Sequence, residues 1–112
     1  MSLNLSLGMK GESLAANYLV ENGYTLITKN YRAGRGEIDL IVQKDDILVF
    51  VEVKLRNGKA FGFPEDFVGS AKQEKVIQTA EMYLEEIDWK HDIRFDIIAV
   101  FGEKIEHFVD AF

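Results

Sequence analysis

The sequence predicts an α/β fold: a central mixed sheet of five strands with flanking helices, in the order αβββαββ. Three observations predict it. Apolar residues recur at helical spacing over residues 8–22 and again over 68–87. Between those stretches lie short runs rich in β-branched and aromatic residues, divided by turns rich in Gly and Asp. The second helical stretch stands between the third and fourth strands, where it permits a right-handed parallel crossover.

In the first helix Leu14, Ala15, Tyr18 and Leu19 form the apolar stripe, extended by Leu7, and Asn22-Gly23 is a stop. Glu12 falls in its first turns, beside the buried face. Tyr24 to Tyr31 form the first strand, and Arg32-Ala33-Gly34-Arg35-Gly36 a turn. Residues 37–43 form the second strand, Lys44-Asp45-Asp46 a tight turn and 47–55 the third strand, giving an antiparallel meander. Arg56 to Phe67 read as a loop with Gly58, Gly62 and Pro64, in which Phe61, Phe63 and Phe67 either fold back or meet a second copy in a homodimer. In the long helix Val76, Ile77, Ala80, Tyr83, Leu84 and Ile87 face inward, while Lys72, Lys75, Glu81 and Glu85 supply polar surface. Trp89, just after it, is expected to pack on the core. Arg94 to Phe101 form the fourth strand, Gly102-Glu103 a turn, and Lys104 to Val109 the fifth strand.

A length of 112 residues suits one domain, placed at 8–112 behind an N-terminal tail of residues 1–7. Met1-Ser2-Leu3 read equally well as native or as an expression remnant. The chain has no cysteine, which removes disulfides, thiolate catalysis and zinc–thiolate sites and fits a reducing, cytoplasmic setting. There is no signal-like segment and no apolar run approaching a membrane span, so no membrane association is expected. The formal charge of -6 argues against nonspecific coating of nucleic acid, but leaves room for a local basic patch.

The informative residues lie in Gly36-Glu37-Ile38-Asp39-Leu40-Ile41 and Val51-Glu52-Val53-Lys54. Carboxylates are seldom buried without a partner. By strand alternation Asp39 shares a face with Ile41, and Glu52 and Lys54 share one with Phe50. Ile38, Leu40 and Val42, with Val49, Val51 and Val53, are expected to line the other side, against the main helices. Asp39, Glu52 and Lys54 then cluster on one side. Such a cluster can hold Mg²⁺ or Mn²⁺ through Asp39, Glu52 and the Val53 carbonyl. The ion would polarise a phosphodiester and acidify a bound water, and Lys54 would orient the water or neutralise charge at phosphorus. Glu12 is a candidate for a second ion or a water, and the three carboxylates are expected within one ion's reach. Arg56 is expected on the same side, against a flanking phosphate. Arg32, Arg35, Lys72 and Lys75 are further candidates for nucleic-acid contact. The competing reading makes Asp39 or Glu52 a rim ion pair with Lys54 or Arg32. Asp96 is expected to pair with Arg94 or Arg32 or to line the site's edge, and His91 and His107 lack metal-ligand spacing.

These residues also carry a resemblance. Gly11-Glu12 with Ala15 and Tyr18-Leu19, Asn30-Tyr31-Arg32, the two strand motifs with Arg56, Phe61-Gly62 with Pro64, Lys72, Ala80 with Tyr83-Leu84, Arg94-Phe95-Asp96 and the terminal Ala111-Phe112 resemble the bacterial UPF0102 (YraN-like) family over residues 8–112. The resemblance implies a restriction-endonuclease-like core related to archaeal Holliday-junction resolvases. Their motif of an acidic residue followed by Asp/Glu-x-Lys falls on Asp39, Glu52 and Lys54, and the helix glutamate on Glu12. It further implies a Mg²⁺- or Mn²⁺-dependent nuclease acting on branched or structured DNA as a homodimer. A weakly active or inactive nucleic-acid-binding or interaction domain on the same fold is the alternative. Leu55 departs from the pattern, since relatives often carry a polar residue there.

Overall fold

In a computed structural model, which describes residues 6–56 and 68–112, the elements follow the expected order. They are α1 (Ser6–Glu21), β1 (Thr25–Ala33), β2 (Gly36–Lys44), β3 (Ile47–Arg56), α2 (Ser70–Ile87), β4 (Asp92–Phe101) and β5 (Lys104–Phe108). α1 starts at Ser6, inside the stretch expected to be tail. The aromatic loop with Phe61, Phe63 and Phe67, and the stretch Met1-Ser2-Leu3, lie outside the described residues, as does the side chain of Leu7.

One sheet contains all five strands in the order β1-β2-β3-β4-β5. β3 and β4 run parallel, joined through α2, and every other neighbouring pair is antiparallel. The tight turns follow from residues that tolerate a left-handed backbone: Gly23 (φ 92), Gly34 (φ 59) and Asp45 (φ 54). Gly36 has a different reason to be glycine. A Cβ there would collide with the Thr79 side chain on α2, so its absence lets the start of β2 approach the helix.

The two apolar clusters correct one expectation. Leu40, Val42, Val49, Val51, Ile98 and Val100 pack against Ala15, Ala16 and Leu19 of α1. The opposite row of Ile41, Leu48 and Phe50 packs against Val76, Ala80 and Tyr83 of α2. The helices therefore cover both faces, and the row that carries Asp39, Glu52 and Lys54 is roofed by α2. The physical reason is that Ile41, Leu48 and Phe50 are as apolar as the row opposite them, and central strands beside a parallel crossover bury both faces. Ile38 is a second correction, since it joins the cluster of Ile41 and Phe50 and not that of Leu40 and Val42.

At the other side of the sheet Asp96 is fully buried. It accepts two hydrogen bonds of 2.8 Å from Arg94, one of 2.7 Å from His107 Nε2 and one of 3.0 Å from the Asp110 amide. Arg94 also donates to the Tyr24 hydroxyl at 2.7 Å, and His107 Nδ1 lies 3.2 Å from the Tyr18 hydroxyl. The network ties β4, β5, α1 and the start of β1 together. This is the structural role expected for Asp96 and Arg94, and it places His107 in the same network. Trp89 packs on the α2 cluster and donates to the Asp92 carbonyl at 2.9 Å, and His91 meets its ring edge-on. At the end of the chain Phe112 stacks on Phe95, which stacks on Phe50.

Burial would raise the Asp96 pKa, but the hydrogen bonds from His107, Arg94 and the Asp110 amide outweigh it and hold the carboxyl below the ordinary range. Its contribution to stability is therefore present above the unfolded carboxylate value and is lost as pH falls through the folded one. Asp96→Ala, which leaves Arg94 and His107 without their partner, is expected to cost about 3 kcal/mol in urea unfolding at neutral pH. That cost should shrink in acid, and a variant equally destabilised at every pH would contradict the assignment. Gly36→Ala is expected to cost about 1–3 kcal/mol by overpacking against Thr79, and an unchanged urea midpoint would show that the contact relaxes freely.

Candidate functional site

The site begins where the β2–β3 ladder stops. Backbone partners run from Lys44↔Ile47 to Leu40↔Val51 and go no further. At the next step side chains take over. The Asp39 amide donates to Glu52 Oε2 at 3.3 Å, and the Val53 amide donates to Asp39 Oδ2 at 2.8 Å. Each carboxylate thus satisfies the backbone of the other strand across the opening. This splitting of the strands accompanies the departure of Ile38 from strict alternation.

Across β1, the register passes from Lys29↔Leu40 to Tyr31↔Ile38, which sets Asn30 opposite Asp39. Asn30 has φ 52, an uncommon conformation that asparagine tolerates better than most residues. Its side chain hydrogen-bonds Glu12. Asn30 was not among the residues singled out for chemistry, although it is one of the positions that match the family pattern.

Glu52 is 1% exposed, deep in the sheet. Its Oε1 lies 3.3 Å from the Lys72 ammonium, which reaches over from the first turn of α2. Lys54, two residues on, makes its contact with Lys72. The rim-pair partners expected for Asp39 and Glu52 are thereby replaced: Lys72 holds Glu52, and Arg32 pairs with Glu37 at 3.5 Å. Asp39 and Glu52 are drawn together, with Lys54 beside them. Glu12 is close enough for its charge and that of Asp39 to be felt by one another. However, among the described residues no three carboxylate or imidazole groups are set to hold one ion, so the expected convergence of Glu12, Asp39 and Glu52 is not present. Glu12 extends from a different layer, α1, and hydrogen-bonds Asn30. The Val53 amide makes the contact with Asp39.

The remaining candidate cations line separate cavities. Arg35 and Lys75 share a shallow cavity of about 320 Å³ between the β1–β2 turn and α2. Arg56 lines a different cavity of about 340 Å³, with Lys10, Leu14, Leu55 and Val100. There Leu55 covers Gly11, where a Cβ would collide with it, so the apolar departure at this position fills a gap against α1.

The electrostatics of the carboxylate pair follow from burial. Desolvation, then the Asp39 charge, pushes Glu52 up to about 7 against the pull of Lys72. Desolvation also raises Asp39, opposed by the Val53 amide. Glu12 rises through burial and the Asp39 charge. Desolvation and the neighbouring Lys72 lower the Lys54 pKa. For Lys72 desolvation is outweighed by its contact with Glu52, and its pKa rises. Two carboxylates with one oxygen each already bonded to a backbone amide, and a cation seated on one of them, form a donor set of oxygens suited to a hard divalent ion that keeps several waters.

Over residues 11–100 the sequence matches the family model described as "Uncharacterised protein family UPF0102". The chain belongs to the UPF0102 family. A UPF0102 protein of Cytophaga hutchinsonii is similar to it at 42% identity over 109 residues, covering 96% of each chain. Another, from Flavobacterium psychrophilum, is 44% identical over 116 aligned positions, covering all of this chain and 98% of its own. A third, from Rhodococcus opacus, is 43% identical and covers both chains in full. The matched span of this UPF0102 chain includes Glu12, Asn30, Asp39, Glu52, Lys54 and Lys72.

Between the ordinary carboxylate range and pH 7 the folded UPF0102 chain keeps a proton on Glu52 that the unfolded chain has released. Folding therefore weakens as pH rises through that window, and Asp39 acts in the same direction. In chelator, wild-type stability is expected to fall by about 2 kcal/mol between roughly pH 5 and pH 8. Glu52→Gln should flatten that slope. Parallel stability curves for the two proteins would show that Glu52 titrates as in the unfolded chain.

Proposed function

We propose that this protein is a metal-dependent endonuclease acting on branched or structured DNA, with Asp39, Glu52 and Lys54 at the centre of its site. The observation that carries the reading is the buried Glu52 carboxylate, bonded to the backbone of Asp39 and neutralised by a lysine, at the point where two central strands separate. A sheet that needed only stability would continue its ladder there with apolar residues. Mg²⁺ or Mn²⁺ bound by Asp39 and Glu52 would supply Lewis-acid chemistry at a phosphodiester.

The chain's own residues supply the rest. The Asp39 and Val53 amides fix the two carboxylates so that their remaining oxygens are preorganised. Lys54 offers an amine with a lowered pKa for holding a water or a phosphoryl oxygen. Glu12, held by Asn30, stands at the edge for a further water. Arg35 and Lys75 offer positive charge to the phosphate backbone on the α2 side, with Arg32 near Arg35 at the end of β1. Arg56 would act at the far cavity. A homodimer would present two such sites to a symmetric junction. Among the described residues no helix is long and apolar enough to cross a membrane.

A second reading, a DNA-binding or interaction domain that cuts little, draws on the net charge of -6 and on the lack, among the described residues, of a third carboxylate at the pair. Cleavage of four-way, flap and single-stranded DNAs in Mg²⁺ and Mn²⁺ separates the two. The nuclease reading expects cutting by the wild type, reduced on the order of 10²-fold or more in Asp39→Asn, Glu52→Gln and Lys54→Met, each still folded. Binding without cutting would favour the second reading. Equal residual cutting by all four proteins would identify a contaminant and remove the nuclease assignment.

A further inference from the structure

The cation already on Glu52 has a consequence for any ion that would replace it. Oε2 of Glu52 is engaged by the Asp39 amide, so Oε1 is the oxygen left for a cation, and the Lys72 ammonium lies 3.3 Å from it. The two partners differ in freedom. The Glu52 side chain is 1% exposed and the Lys72 side chain 50%, so the lysine can turn into water while the carboxylate stays fixed. Lys72 is also the third residue of α2. A positive charge in the first turn of a helix opposes the helix dipole, which favours anions there. Its position is explained by the buried carboxylate it neutralises. Lys54 is also in contact with it.

We propose that Lys72 is a resident counter-cation, occupying the Glu52 oxygen that a divalent ion needs, so that metal binding and the Lys72–Glu52 ion pair are mutually exclusive. This rests on the metal site proposed above and adds how that site is kept closed: the ammonium neutralises the buried carboxylate until Mg²⁺ or Mn²⁺ displaces it. Exchange of one cation for the other leaves Glu52 paired at every stage, and it releases Lys72 toward solvent, where a phosphate would be its next partner.

Calorimetric titration with Mn²⁺ tests this on wild type, Lys72→Met, Lys72→Arg and Glu52→Gln. Lys72→Met is expected to bind Mn²⁺ roughly tenfold more tightly than wild type, as a competing cation is removed. Lys72→Arg, which keeps the cation, should bind no more tightly than wild type, and Glu52→Gln should lose binding. In chelator Lys72→Met should melt below wild type, and saturating Mn²⁺ should raise its Tm by more. Equal affinities for wild type and Lys72→Met, with binding lost in Glu52→Gln, would overturn the exclusion while leaving the metal site in place. No binding to any of the four would remove the metal site and this inference together. Wild type alone provides a second measure that does not depend on any variant folding. Acetylation of Lys72, read by mass spectrometry, should rise severalfold with Mn²⁺ at concentrations where binding is seen, and unchanged labelling there would overturn the exclusion.

Discussion

Two strands that pair through their backbones at one end and through carboxylates at the other set the terms for this molecule. From Lys44↔Ile47 to Leu40↔Val51 the β2–β3 ladder is ordinary, and beyond it Glu52 and Asp39 accept the amides that the missing rungs would have used. The substitution keeps the backbone satisfied while opening the strands, but it requires two carboxylates to stay close together in the core of a sheet. Burying a charge without a partner is costly, and two like charges side by side more so. The approach of α2 follows from that requirement, because it delivers Lys72 to Glu52. Gly36, bare of a Cβ against Thr79, lets the same helix lie close to the start of β2.

The sheet holds a second buried carboxylate, and the contrast shows what each is for. Asp96 takes four hydrogen bonds, two of them from a single guanidinium, and its pKa falls. Glu52 takes one amide and one half-exposed ammonium, and its pKa rises to about 7. Both lie in central strands and both are almost wholly buried. Desolvation alone therefore does not separate them. The number and firmness of the donors does. Asp96 is saturated and locks elements to one another, whereas Glu52 is left with an oxygen whose partner can be exchanged. Groups with such raised pKa values and exchangeable partners are where chemistry is most often found.

Much of this was legible in the sequence because it depends on short-range pattern. Period-two alternation was enough to place Asp39 with Ile41 and Glu52 with Phe50, and the two helical stretches and five strands followed from periodicity and turn residues. The errors have a common cause. Ile38 breaks alternation because the ladder ends beside it, and a ladder's end is set by a partner strand, not by the residue itself. The covering of the carboxylate face by α2 was visible only as the apolar character of Ile41, Leu48 and Phe50 on the supposedly polar side. Lys72 read as helix surface or as a nucleic-acid contact, since nothing local marks its reach to a strand about twenty residues earlier. Its place near the start of the helix, where a cation is disfavoured, and its match to the family pattern were the signals available. The left-handed Asn30 gives no sign in composition at all.

The position of Glu12 follows from the same logic of partners. It belongs to α1, the helix on the opposite face of the sheet from α2. It hydrogen-bonds Asn30, and its pKa is raised by burial and by the charge of Asp39. A third carboxylate at the pair would add negative charge that Lys72 alone, already committed to Glu52, could not offset. Leaving Glu12 out of the pair is therefore the arrangement that two lysines and two adjacent carboxylates, one of them buried, can sustain. A divalent ion adds the positive charge that would make its closer approach favourable. The geometry of the closed pair and the distance of the third acid are, on this argument, two results of one charge balance.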